Sequence, residues 1–217
     1  MRLPRLLFAS GLVLALSNSL GGTVPNSQSA ANPEVEDKKW EFSLSSGTYF
    51  VRGGTDFVNP TVTADRDWLH LEARYNYEAL NTASLWLGYN FSFGEKLVFG
   101  VTPMFGGVFG DITGVAPGYK ITVSYKMFEL YTLGQYFIDD TRHEDNFFYT
   151  WSELTCSPVD WFKFGLVVDR TKLAVENFDI RRGPLVGFKY KCFDFSVYWL
   201  NPGSSDETVI LYTALNF

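Results

Sequence analysis

Glu207-Thr-Val-Ile-Leu-Tyr-Thr-Ala-Leu-Asn-Phe217 closes the sequence, and its alternation decides the fold class. Taken by twos from the end, Phe217, Leu215, Thr213, Leu211 and Val209 form an almost unbroken apolar row. Asn216, Ala214, Tyr212, Ile210 and Thr208 between them are more mixed. A period of two over this length is a β-strand with one apolar face.

This ending resembles the C-terminal strand of bacterial outer-membrane β-barrels, where a terminal Phe and alternate apolar residues are the recognition signal for the assembly machinery. The resemblance implies an all-β fold, an antiparallel up-and-down transmembrane β-barrel. It makes Val209, Leu211, Leu215 and Phe217 the assembly signal, with the barrel-assembly machinery as partner. That signal often has aromatics third and fifth from the end, where this chain has Leu215 and Thr213.

The other end of the sequence agrees. Arg2 and Arg5 precede an apolar run from Leu6 to Leu16, and Ser17, Ser19 and Gly21 follow. That is the order of a secretory signal peptide, expected over 1–21, and its apolar run is too short to span a bilayer. Residues 22–39 carry Gly, Ser, Asn, Pro and charge without periodicity, which predicts a flexible periplasmic lead-in. The barrel is expected over 40–217, in the outer membrane of a Gram-negative-type bacterium.

Composition points the same way. Aromatic residues make up 18% of the chain, with 20 Phe, 12 Tyr and 6 Trp. A lipid-facing barrel uses them in belts at both bilayer interfaces, against outer-membrane lipid and lipopolysaccharide. The net charge of −6 argues against nucleic acid as a partner. Cys156 and Cys192 sit two strands apart, a separation near ~10 Å that exceeds the usual disulfide reach.

The alternation recurs along the chain. Over Trp68–Glu78, Leu69, Leu71, Ala73, Tyr75 and Tyr77 face one way and His70, Glu72, Arg74 and Asn76 the other. Tyr119, Ile121, Val123 and Tyr125 alternate with Lys120, Thr122, Ser124 and Lys126. Thr55–Ala64 holds Pro60 and reads as an irregular, edge-like strand. Loops are expected at 109–117, 139–145, 170–179 and 201–206, with turns at 94–96, 127–129, 156–160 and 192–193. Both ends of such a barrel lie in the periplasm, so the strand number is even: twelve, with ten the alternative.

In a barrel the polar face turns to the lumen. The candidate lumen-lining residues are His70, Glu72, Arg74, Asn76, Lys120, Lys126, Lys163, Asp169, Arg181, Lys189 and Lys191, a set richer in base than acid. Basic rings favour anions, whereas charges paired across a small barrel simply fill it. The architecture resembles twelve-stranded nucleoside- and sugar-acid-specific channels, which implies a narrow passive channel for small, anionic solutes. The alternative is a closed structural or adhesive barrel with its function in the outer loops. Their acids (Asp139, Asp140, Glu144, Asp145, Glu176, Asp179, Asp206 and Glu207) serve solubility or divalent-cation bridging to lipopolysaccharide. There is no G-x-S-x-G elbow and no metal-ligand spacing, so no enzyme, metal or cofactor is expected.

Overall fold

Twelve antiparallel strands close on themselves in a computed structural model that describes residues 39–174 and 178–217. They are β1 (Glu41–Val51), β2 (Phe57–Arg66), β3 (Leu69–Tyr75), β4 (Thr82–Tyr89, resuming as Phe91–Phe93), β5 (Leu97–Gly110) and β6 (Gly114–Tyr125). Then follow β7 (Phe128–Asp139), β8 (Phe147–Val159), β9 (Phe162–Leu173), β10 (Asp179–Tyr190), β11 (Phe193–Leu200) and β12 (Thr208–Asn216). The expected signal peptide (1–21), nearly all of the lead-in (22–39) and Glu176 lie outside the described residues.

Every strand pairs with its sequence neighbours, and β1 pairs with β12 from Ser43↔Asn216 to Val51↔Thr208. The seam is finished by Phe217, which exchanges backbone hydrogen bonds with Phe42 at 2.8 and 2.9 Å. Closure leaves no free sheet edge, the condition for backbone in hydrocarbon.

Three expectations about elements are corrected. The Pro60 strand is an ordinary wall strand, paired with β1 from Glu41↔Asp65 to Tyr49↔Phe57. Pro60 falls one residue beyond the last β2–β3 pair, Thr61↔Arg74, where a residue without an N–H is tolerated. The loops expected at 109–117 and 170–179 shrink to 111–113 and 174–178, because β6 begins at Gly114 and β9 runs to Leu173. Pro117 points outward in β6, and the β6–β7 pairing skips Ala116 and Pro117. Conversely, β3 stops at Tyr75, so Tyr77 and Glu78 belong to a connector.

The outer surface is banded. Leu71, Leu85, Leu87, Leu154, Leu166 and Val186 are exposed around the middle. Trp40, Phe42, Trp68, Phe93, Trp161, Phe193 and Phe217 ring the end that carries the C-terminus, and Phe50, Tyr75, Phe109, Tyr136 and Trp199 ring the opposite, loop-bearing end. Several of these rings stack across the seams, Trp68 on Tyr89 at 5.2 Å and Phe42 on Phe217 at 5.9 Å. An aliphatic band between two aromatic girdles is the surface a bilayer requires. Val209, Leu211, Leu215 and Phe217 share the outward row of β12. Cys156 and Cys192 are free thiols.

Candidate functional site

The interior begins with the alternation of β3. His70, Glu72 and Arg74 all point inward, each about 3% exposed. His70 Nδ1 lies 2.7 Å from Asp65 Oδ1, and Nε2 lies 3.0 Å from Glu72 Oε2. Arg74 Nε donates to Glu72 at 2.5 Å, and its Nη1 donates to Gln135 at 2.8 Å and Glu78 at 3.3 Å. Lys120 from β6 donates to the same Glu72 and lies 3.0 Å from His70 Nε2. These contacts join β2 and β3 to β6 and β7. They tie charged side chains of four strands into one buried layer inside the barrel.

Small residues in the wall make room for this layer. A Cβ on Gly106 would sit 2.5 Å from the Trp86 ring, so glycine lets that ring lie flat on the wall. Arg74 stacks on it, its guanidinium 4.3 Å from the Trp86 ring and 4.1 Å from the Tyr77 ring. Trp86 Nε1 donates to Ser84 Oγ at 3.0 Å, and Ser84 donates to Glu78 at 2.9 Å.

Tyr77 and Glu78 reach this point because the Asn76–Asn81 connector folds into the barrel. Asn76 and Asn81 adopt φ of 54° and 52°, the left-handed region that Asn tolerates. Asn76 Oδ1 accepts from the Asn81 N–H at 2.8 Å, and Asn76 Nδ2 donates to the Val58 carbonyl at 3.0 Å. Tyr77, Glu78 and Ala79 are buried as a result. Burial raises the Glu78 carboxyl above its ordinary pKa, outweighing the opposing pull of Arg74, Ser84 and Gln135.

Beside the charged layer stands an aromatic one. Tyr49, Phe57, Phe137, Phe147, Tyr149, Trp151, Tyr198 and Tyr212 are buried together with Tyr77. Trp151 Nε1 and the Tyr198 hydroxyl both donate to Glu153, at 2.6 and 3.3 Å. Arg181 and Asp169 pair nearby.

The candidate lumen residues therefore divide. His70, Glu72, Arg74, Lys120, Asp169 and Arg181 point inward and are paired. Lys163 is half-buried beside Gly187, and Lys189, opposite Asp194, is exposed at the C-terminal mouth. Three are displaced. Lys126 and Lys191 occupy exposed turns at φ 54° and lie over the Tyr125 and Tyr190 rings. Asn76 is half-buried in its connector, which its side-chain amide braces against Asn81 and Val58.

Asp65, Glu78, Glu129, Gln135 and Glu153 also point inward and were absent from the expected set. The expected excess of base is thereby lost: among the described residues the acids Asp65, Glu72, Glu78, Glu129, Glu153, Asp169 and Asp194 point inward beside the cations Arg74, Lys120, Lys163, Arg181 and Lys189. The period of two extended from Trp151 to Glu153 holds the signal for one of them. No local pattern marks Glu78.

No protein-family model matches this chain, and no curated protein matches it. Solved structures do. The chain is similar to the KdgM porin in complex with disordered oligogalacturonate, with a TM-score of 0.62 and 10% identity over 81% of this chain and 99% of the other. Another structure of the KdgM porin aligns at a TM-score of 0.58, again at 10% identity, over 81% and 99%. The Acinetobacter baumannii outer membrane protein Omp33 aligns at 0.51 and 8% identity, covering 82% of this chain and 98% of that one. At such identities the likeness is one of fold, the whole small barrel in each case.

Proposed function

We propose that this protein is an outer-membrane barrel of the porin type, a narrow non-enzymatic passage for small solutes that is shut in the conformation described. The observation that supports it is the charged, hydrogen-bonded layer at His70, Glu72, Arg74 and Lys120 inside a wall whose outer band is apolar. Apolar side chains would seal a permanently closed barrel at lower cost than buried ion pairs. Charges in the lumen suit a path that admits water and solute. Porins of known structure with the same small-barrel architecture support the reading. Among the described residues no helix is long and apolar enough to cross a membrane.

The solute preference follows the inward charge. Anion selectivity rested on a base-rich lumen, and with Asp65, Glu129, Glu153 and Asp194 added the open passage favours cations weakly. Lipid and lipopolysaccharide would contact the outer bands, and the assembly machinery would read β12.

The test is single-channel recording of the refolded protein in a planar bilayer under a salt gradient. Discrete steps are expected, with a reversal potential on the cation side. An anion-side reversal removes the charge reading and keeps the passage. A second reading, a closed structural barrel, is favoured by the Arg74–Gln135 bond across the lumen and by the aromatic layer. It predicts no steps from protein shown to be folded by heat-modifiable migration.

A further inference from the structure

We propose that the Asn76–Asn81 connector is a displaceable plug, latched into the lumen by Glu78, whose withdrawal opens the barrel. This rests on the channel reading above.

Its position is the first reason. Glu78 is held by Ser84 of β4 at 2.9 Å, Arg74 of β3 at 3.3 Å and Gln135 of β7 at 3.5 Å. Tyr77 packs edge-on against Tyr149 of β8 at 6.1 Å. A segment that touches walls this far apart around the ring stands near the axis and divides the cross-section.

Its attachment is the second. Below the connector the β3–β4 ladder is already closed, by Tyr75↔Ala83 and by the Asn76 N–H on the Thr82 carbonyl at 2.8 Å. The two asparagines form hinges at the rim. Swinging the segment out therefore breaks side-chain contacts and the short Asn81–Asp111 link, and leaves every strand pair in place. Wall residues have no comparable freedom, because moving them unzips the sheet.

The closed arrangement is also incompletely satisfied. Arg74 Nη2 is buried without a hydrogen-bond partner among the described residues. An unmet buried donor raises the free energy of the state that holds it. Once Tyr77 leaves, Arg74 can lie on Trp86 alone, clear of the axis.

The test uses the full chain with Cys156→Ser and Cys192→Ser, carrying Ala79→Cys as a reporter, because Ala79 is buried only while the plug is in. A membrane-impermeant maleimide is added to the barrel in vesicles, and conductance is recorded in parallel. Glu78→Ala is expected to raise both the labelling rate and the open time about tenfold, the scale set by losing a charge-assisted hydrogen bond. Tyr77→Ala should act in the same direction, and heat-modifiable migration identifies folded material for both. Unchanged labelling and unchanged conductance in the folded variants overturn the plug. Wild-type steps with that result leave the channel reading standing. Fast labelling of Ala79→Cys without any conductance overturns the plug and the channel together.

Discussion

Arg74 is the residue on which most of the interior depends, since it meets Glu72, Glu78 and Gln135 and lies between two rings. Removing it leaves two carboxylates buried without their guanidinium. Arg74→Ala is expected to lower stability by about 3–5 kcal/mol, read as a fall in the urea midpoint of the folded band. Arg74→Lys should recover part of the loss, since an ammonium cannot reproduce the planar fork or the two-sided stacking. Glu78 adds a pH dependence whose sign follows from its burial. Its carboxyl is raised in the closed barrel by burial, against Arg74, Ser84 and Gln135, and release to water returns it to the ordinary range. The closed state binds the proton more tightly. Its advantage is full below the ordinary carboxyl pKa and is lost as pH rises through the raised value. Open probability should climb from acid to neutral pH in the wild type and stay flat in Glu78→Gln. A wild-type profile that falls over that range refutes the assignment. His70, Glu72 and Arg74 were legible as inward residues because a strand alternates strictly. Glu78 was not, because its direction follows from two asparagines in the left-handed region.

Among the elements, β12 is read most directly from sequence, and the structure adds what it does. Its outward row belongs to the outer surface, its inward row of Thr208, Ile210, Tyr212 and Ala214 packs the lumen, and its ladder to β1 closes the ring. Deleting Phe217 removes two backbone bonds and the stacking on Phe42 at the point of closure. The folded fraction on refolding into vesicles should fall severalfold, with full-length protein carrying Phe217→Tyr close to wild type. Equal refolding of the deletion would show that the seam is held elsewhere. β6 shows the opposite case. Gly114-Val-Ala-Pro-Gly118 has the composition of a loop, yet it is wall. The strands β5 and β7 on either side supply partners, and the pairing to β7 passes over the residue that lacks an N–H. Turn-forming residues mark a turn where no neighbour competes; inside a closing sheet the neighbours win.

For the molecule as a whole, the distribution of polarity is inverted relative to a water-soluble domain, with leucines outside and ion pairs within. Leu166 sits in the middle of the outer band. Leu166→Arg should cost about 2–4 kcal/mol of stability in bilayers, measured by folding titration into vesicles, as expected for a cation at the bilayer midplane. A change below the noise of the titration would mean that the band does not face hydrocarbon. The resemblance of the C-terminal strand, period-two alternation, even strand parity and the aromatic load pointed to an antiparallel barrel of twelve strands with ten the alternative, because the bilayer allows so few ways to satisfy a backbone, and the structure has twelve. Whether the lumen is open was a tertiary matter. Pairing between Arg74 and Gln135, or between Lys120 and Glu72, joins residues far apart in the chain whose meeting depends on barrel diameter, strand stagger and the inward fold of one short connector. The sequence by itself determined which side chains face inward where the alternation is clean, as at His70, Glu72 and Arg74 of β3. Only closure of the ring decided which of them touch.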